Sequence, residues 1–209
     1  SKDVGAGPYA CPYRWRPLTW EVDGATYLNE RAIATQQTGF GFVSQSRSWL
    51  PDEIGGINWF SVDDAGTTVY FPMYSSATRI PHTYAVGNGK IMKFSWDSAF
   101  WIFNLVANWA YTKYSFMHPE IKEKQLALEQ RYAQEVQNID KEALELLKGD
   151  RAAAVEYLTQ YSENTANALV AEWKEFFEFL FMRHMDGNVK EYVPGEQNPK
   201  VKFPGYDEK

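Results

Sequence analysis

Apolar residues along this chain change period part-way. From Thr38 to Arg47, from Gly56 to Val62 and from Thr67 to Tyr74, β-branched, aromatic and small residues dominate, and "PDEIGG" and "DDAG" separate them. Runs of that composition and length, bounded by turn formers, predict three antiparallel strands in a meander. Asp63, Asp64 and Gly66 supply the chemistry of the second turn. Beyond Pro81 and the "GNG" at 87–89 the period becomes helical. Ser95 or Asp97 can cap a helix reaching about Met117, apolar nearly all round and so expected to be buried.

His118 and Pro119 are expected to begin a second helix. In it Ile121, Gln125, Leu128, Tyr132, Val136, Ile139, Ala143 and Leu146 form one stripe at spacings of three and four. Gly149 and Asp150 end it and start a third, from about Arg151 to His184. Residues 1–37 hold Pro8, Pro12 and Pro17 with several Gly, which favours extended or turning backbone and predicts a wrapping segment. Residues 186–209, rich in Gly, Pro, Lys and Glu, read as an irregular tail. The fold class is therefore α+β, an antiparallel sheet with long helices. It forms a single domain over 1–209: wrap plus sheet at 1–94, a helical layer at 95–185, then the tail.

The stretch "NERAIATQQTGFGFVSQSR" (29–47) departs from a plain strand pattern. On an extended backbone Gln37, Gly39, Gly41, Val43 and Gln45 share one face and Thr38, Phe40, Phe42 and Ser44 the other. The two Gly leave room for a second chain or a ligand to approach, and Arg47 at the strand end can hold a carboxylate. Packing of this strand on another sheet explains the pattern too, and is the favoured explanation.

Composition narrows the partners. Lys+Arg 21 against Asp+Glu 27 leaves a net charge of −6 with no basic stripe, which argues against nucleic acid and against anionic membrane surfaces. The longest apolar stretch, "AFWIFNLVANWAY", is interrupted by Asn104 and Asn108 and is too short to span a bilayer. The opening "SKDVGAGPYACPYRW" lacks the apolar core of a signal peptide. A soluble protein is expected, its compartment undecided, since one cysteine cannot make an internal disulfide. Seven of the eight Trp fall before residue 115. Three strands cannot obviously cover that much aromatic surface.

Candidate chemistry is sparse. Cys11, between Ala10 and Pro12, has no His or Lys close in sequence to lower its pKa and reads as inert. His82, His118 and His184 share no metal-ligand spacing. Asp63 and Asp64 read as turn residues before they read as an acid/base pair. Asn104 and Asn108, one helical turn apart, are expected to bond backbone or neighbouring side chains rather than substrate. Ser1 as a nucleophile using its own amine is disfavoured by the following "KDVGAGP".

The blocks "PYRWRPLTWE" (12–21), "NERAIATQQTGFGFVSQSR" (29–47), "GGINWFSVDDAGTTVYFPMY" (55–74) and "SAFWIFNLVANWAY" (98–111) resemble the C-terminal portion of the cysteine dipeptidases of the dipeptidase A and secernin type. The resemblance implies an N-terminal-nucleophile hydrolase, an αββα sandwich that acts on short peptides without metal or organic cofactor. It also implies a catalytic cysteine at the mature N-terminus of a longer chain, which Cys11 does not match. The chain then reads as a C-terminal fragment, inactive alone, whose partners are a short peptide substrate, the N-terminal part of the same protein, and a second copy of itself through exposed apolar surface. No catalytic residue is carried over. Arg31, Gln37 and Arg47 are substrate-binding candidates on their chemistry alone. The alternative is a non-catalytic binding or scaffold module that retains the fold.

Overall fold

The computed structural model describes residues 7–13, 16, 18–29, 33–191, 193–195, 197 and 200–202. The expected meander is its centre: β3 (Phe40–Ser46), β4 (Gly56–Val62) and β5 (Phe71–Tyr74) pair antiparallel in that order, and a single helical turn, α1 (Asp52–Gly55), leads from β3 into β4. Phe42 lies opposite Phe60, and Phe60 opposite Phe71. Two short hairpins, each a separate sheet, stand apart from this one. The first, β1 (Thr19–Val22) with β2 (Ala25–Leu28), occupies the stretch read as a wrap. Asp23 and Gly24 turn it with φ of 51° and 78°, the two positive values a two-residue type I′ turn requires. The second, β6 (Val189–Glu191) with β7 (Lys200–Lys202), lies in the stretch read as a tail.

The sheet packs on three helices, α2 (Ala99–Tyr111), α3 (Tyr114–Leu147) and α4 (Arg151–His184). The third helix has the bounds the sequence assigns it, and Asp150 caps it by accepting from the N–H groups of Ala152 and Ala153. The break between the first two differs: the sequence places it at His118 and Pro119, the structure at Thr112 and Lys113. Lys113 is buried and donates to the carbonyls of Gly187 and Asn188 at 3.0 and 2.8 Å. That long-range anchor interrupts the helix, and Pro119 sits inside α3, where it removes only one i→i−4 bond.

One core cluster joins Val62, Val69 and Phe71 to α2, α3 and α4, with Trp173 fully buried and stacked on Phe103 at 5.1 Å. A second joins Ile57 and Tyr74 to Val136, Ala143 and Leu158. Burying an apolar side chain of this size contributes about 2–3 kcal/mol, and both clusters pin the sheet to the helical layer.

The two edges of the sheet are treated differently. Ser75 N–H bonds Gly56 on β4, so by antiparallel alternation the N–H groups of residues 70, 72 and 74 turn outward. Glu129 accepts from Tyr70, Ser162 accepts from Tyr74, both at 3.1 Å, and Pro72 has no N–H to satisfy. That edge is sealed by α3 and α4. On β3, Arg47 N–H bonds Gly55 and Gly39 accepts from Asp63, so the backbone groups of Phe40, Phe42, Ser44 and Ser46 face outward. Among the described residues nothing pairs with them. Phe40, Phe42 and Val43 are 60, 58 and 58% exposed.

Candidate active-site cavity

A cavity of about 690 Å³ lies where the open end of the sheet meets α2. Its walls are Gly39 and Phe40, Phe60 and Val62 of β4, the loop from Thr83 to Ile91, and Ser98 to Trp101 with Asn104 at the start of α2. The size suits a small ligand. A Cβ built on Gly39 would meet nothing within 4 Å, whereas one on Gly41 would touch the Tyr70 hydroxyl at 3.0 Å. Gly39 thus opens onto space, and Gly41 admits a neighbouring side chain.

Two adjacent carboxylates follow Val62 of the cavity wall, and they do different work. Asp64, fully buried, accepts from Tyr111 Oη at 2.7 Å, Tyr13 Oη at 3.3 Å and Gly66 N at 3.0 Å. It is the turn residue the sequence suggests, saturated with donors. Burial and the Asp64 charge push the Tyr111 and Tyr13 hydroxyls well above the ordinary phenol range, so they stay protonated and donating. Asp63, 2% exposed, adopts φ of 67°, a left-handed conformation that Asp tolerates. Its Oδ1 accepts from Asn104 Nδ2 at 2.9 Å, while its Oδ2 is buried with no partner among the described residues. Burial chiefly, with the neighbouring Asp64 charge, pushes Asp63 up to about 6 against the pull of the Asn104 bond.

The other candidates are dispersed. Arg47 is buried at the end of β3, where its guanidinium forks onto both oxygens of Asp140 on α3 and donates to the carbonyls of Ile54 and Gly55. Tyr74 donates to the same carboxylate at 2.7 Å. The carboxylate Arg47 holds is the protein's own. Gln37 is exposed, two residues ahead of Gly39 at the cavity. Arg31 and Ser1 lie outside the described residues. Asn108 bonds the carbonyl of Asn104 within its own helix.

Cys11 is half-buried, with Sγ 3.9 Å from the Tyr13 carbonyl. Burial pushes its thiol up, and the charge of Asp64 adds to that. No hydrogen bond joins it to a histidine among the described residues. His118 stacks on Tyr114 at 4.5 Å, and burial holds it below the usual imidazole range. His184 is buried against Glu120 at 3.2 Å. Among the described residues no group of three or more His, Cys, Asp or Glu could hold a metal ion, and no helix is long and apolar enough to cross a membrane.

Residues 6–127, more than half of the chain, match the family model of peptidase family C69, the family of dipeptidase A and the secernins. The chain belongs to that family. No match is found among the curated proteins. The matched span takes in the whole three-stranded sheet, the cavity, and the Asp63–Asn104 pair, so the C69 membership and the cavity concern the same part of the molecule. In the sequence alone, turn chemistry is a sufficient explanation for Asp63 and hides it as a site residue. The available signal was a second carboxylate beside one already sufficient for the turn, together with an Asn on an apolar helix.

Proposed function

We propose that this C69 chain is part of a cysteine dipeptidase whose nucleophilic cysteine is contributed by residues outside these 209, with the cavity beside Gly39 as part of the cleft for short peptides. The observation that carries this reading is the environment of Cys11. A nucleophilic cysteine needs a lowered pKa or an adjacent base. Cys11 has burial and a carboxylate instead, both of which disfavour the thiolate. In the proposed mechanism a cysteine at a processed N-terminus passes its thiol proton to its own amine and attacks the peptide carbonyl; the peptide C–N bond breaks as that proton moves to the departing amine, and water then hydrolyses the thioester to a free carboxylate and the thiol. The open β3 edge supports a further strand paired there, and Phe40 and Phe42, exposed on one face of that strand, support cover by another layer, as in an αββα sandwich. Gln37 is the candidate best placed to reach substrate. Arg47 acts from within the scaffold, and Arg31 stays a candidate on its chemistry.

The test has two arms. The purified chain is assayed on a dipeptide panel alone, then together with the N-terminal portion of the same protein. The expected result is no turnover alone and alkylation-sensitive turnover on addition. Robust turnover by the chain alone, resistant to thiol alkylation, would place the active site elsewhere.

A further inference from the structure

The cavity's wall is aromatic and aliphatic apart from a few groups, and one of these is held in a defined orientation. A carboxylate can only accept, so Asp63 Oδ1 fixes Asn104 with Nδ2 turned toward it at 2.9 Å. Because the amide is planar, Oδ1 of Asn104 is fixed on the other side. Nothing in the described structure occupies that oxygen, and Asn104 is the polar side chain of α2 that lines the cavity. Asp63 is tied to the cavity wall twice more: its N–H bonds the carbonyl of Gly39, and it follows Val62, both lining residues. Its second oxygen is buried and unpartnered. An acceptor at the wall, a carboxylate behind it and an apolar surround complement one kind of group.

We propose that Asn104 and Asp63 are the recognition element of this cavity for a protonated amine on a small, otherwise apolar ligand. Asn104 accepts one N–H of the ammonium, and Asp63 orients that acceptor and supplies the balancing charge. Lys90 also lines the cavity but is exposed, so its opposing charge is screened by solvent. Identifying the amine as the free amino terminus of a peptide rests on the dipeptidase reading. The recognition itself does not.

The experiment is calorimetric titration of the 209-residue chain with leucinamide, which carries the ammonium, and with N-acetylleucinamide, which lacks it. Leucinamide is expected to bind at least tenfold tighter. Asp63→Asn and Asn104→Leu, both close to isosteric, should each remove that preference and leave the acetylated probe unaffected. Lys90→Ala should leave leucinamide binding intact or tighten it. Equal binding of the two probes, no saturable binding of either, or an unchanged preference in both variants overturns the proposal. In the complete enzyme, the ratio of kcat/KM for a free dipeptide over its N-acetyl form should fall in Asp63→Asn, chiefly through KM. If the complete enzyme cleaves no dipeptide while amine binding stays selective, the dipeptidase reading fails and the recognition element stands.

Discussion

The two edges of one three-stranded sheet differ in every respect that backbone chemistry controls. At β5 each outward donor is met by a helix side chain or abolished by Pro72, and the strand is buried. At β3 the outward groups of Phe40, Phe42, Ser44 and Ser46 meet nothing in the described structure, and the strand is exposed almost throughout. A free edge with aromatic faces is a template for another strand, and natural proteins usually blunt such edges with charge, bulges or cover. Here no residue of β3 itself is charged or Pro. The sealed edge belongs to the scaffold that this chain completes by itself. The open edge, with the cavity at its end, is the part that the proposed function assigns to chemistry or to a partner.

The largest effects should come from the sealed side. Arg47→Ala leaves Asp140, itself only 14% exposed, without its cation and Ile54 O without that donor. It should destabilise the protein by about 3–5 kcal/mol, as breaking one partner of a buried pair does. Chemical unfolding checks this. The double variant Arg47→Met, Asp140→Leu should lose clearly less, because it leaves no unpaired charge behind. If Arg47→Ala were silent in stability and damaged only activity, the scaffold role assigned to it would be wrong.

Ser162→Ala removes the cap on Tyr74 N–H and should cost about 1–3 kcal/mol, the penalty of a buried donor left unmade. Glu129→Ala exposes the same question at Tyr70, in a half-buried setting, and should fall at the lower end of that range. Hydrogen exchange at Tyr74 should quicken in Ser162→Ala ahead of global unfolding.

These contacts also mark where sequence was informative. The strands were legible because turn formers bound them, and "FPMY" carries an edge signal in its Pro. The helix starting at Arg151 was legible because Gly149 and Asp150 punctuate it locally. The break at Lys113 was not, since it depends on carbonyls of Gly187 and Asn188 more than seventy residues away. Arg47 reads as a free anion-binding group until Asp140, a further ninety-three residues along, is folded against it. The Asp63–Asn104 pair likewise joins residues forty-one apart, and each has an adequate local explanation. The β1–β2 hairpin was readable, with Asp23-Gly24 between two β-rich tetrapeptides, and was obscured by the surrounding Pro.

Asp63 sharpens the comparison because it is a polar group the fold accommodates at a loss. Its native pKa of about 6 lies above the ordinary aspartate value near 4. Between those pH values the native state holds a proton that the unfolded chain has released, so stability falls as pH rises through that window and stays lower above it. The parent protein should therefore lose on the order of 2 kcal/mol from this group between pH 4 and pH 6. Asp63→Asn should remove that loss and melt higher at pH 7.5. Glu129 is raised and Glu120 lowered by their own surroundings, so the variant-minus-parent difference is the quantity to measure. A flat difference profile from pH 4 to pH 7 would show that Asp63 is ordinary. A variant stabilised at neutral pH but impaired in amine binding would identify the burial as a functional compromise.

The smallest stability effects are expected on the open edge. Phe42→Ser and Val43→Lys change side chains already more than half exposed, so each should alter unfolding free energy by no more than about 0.5 kcal/mol. Their effect should appear in association instead. An uncovered strand with outward aromatic residues favours edge-to-edge pairing, and a Lys placed on it opposes that pairing. Sedimentation of the isolated chain should therefore show less self-association for Val43→Lys than for the parent, at unchanged stability. Adding the N-terminal portion should suppress association of the parent to the same level, because both remedies act on the same edge. If Val43→Lys unfolds the chain like a core variant, β3 is already covered and the contrast between the two edges is lost. If it leaves both stability and association unchanged while the N-terminal portion still binds, the partner meets the chain at another surface, and the further strand does not pair on this edge.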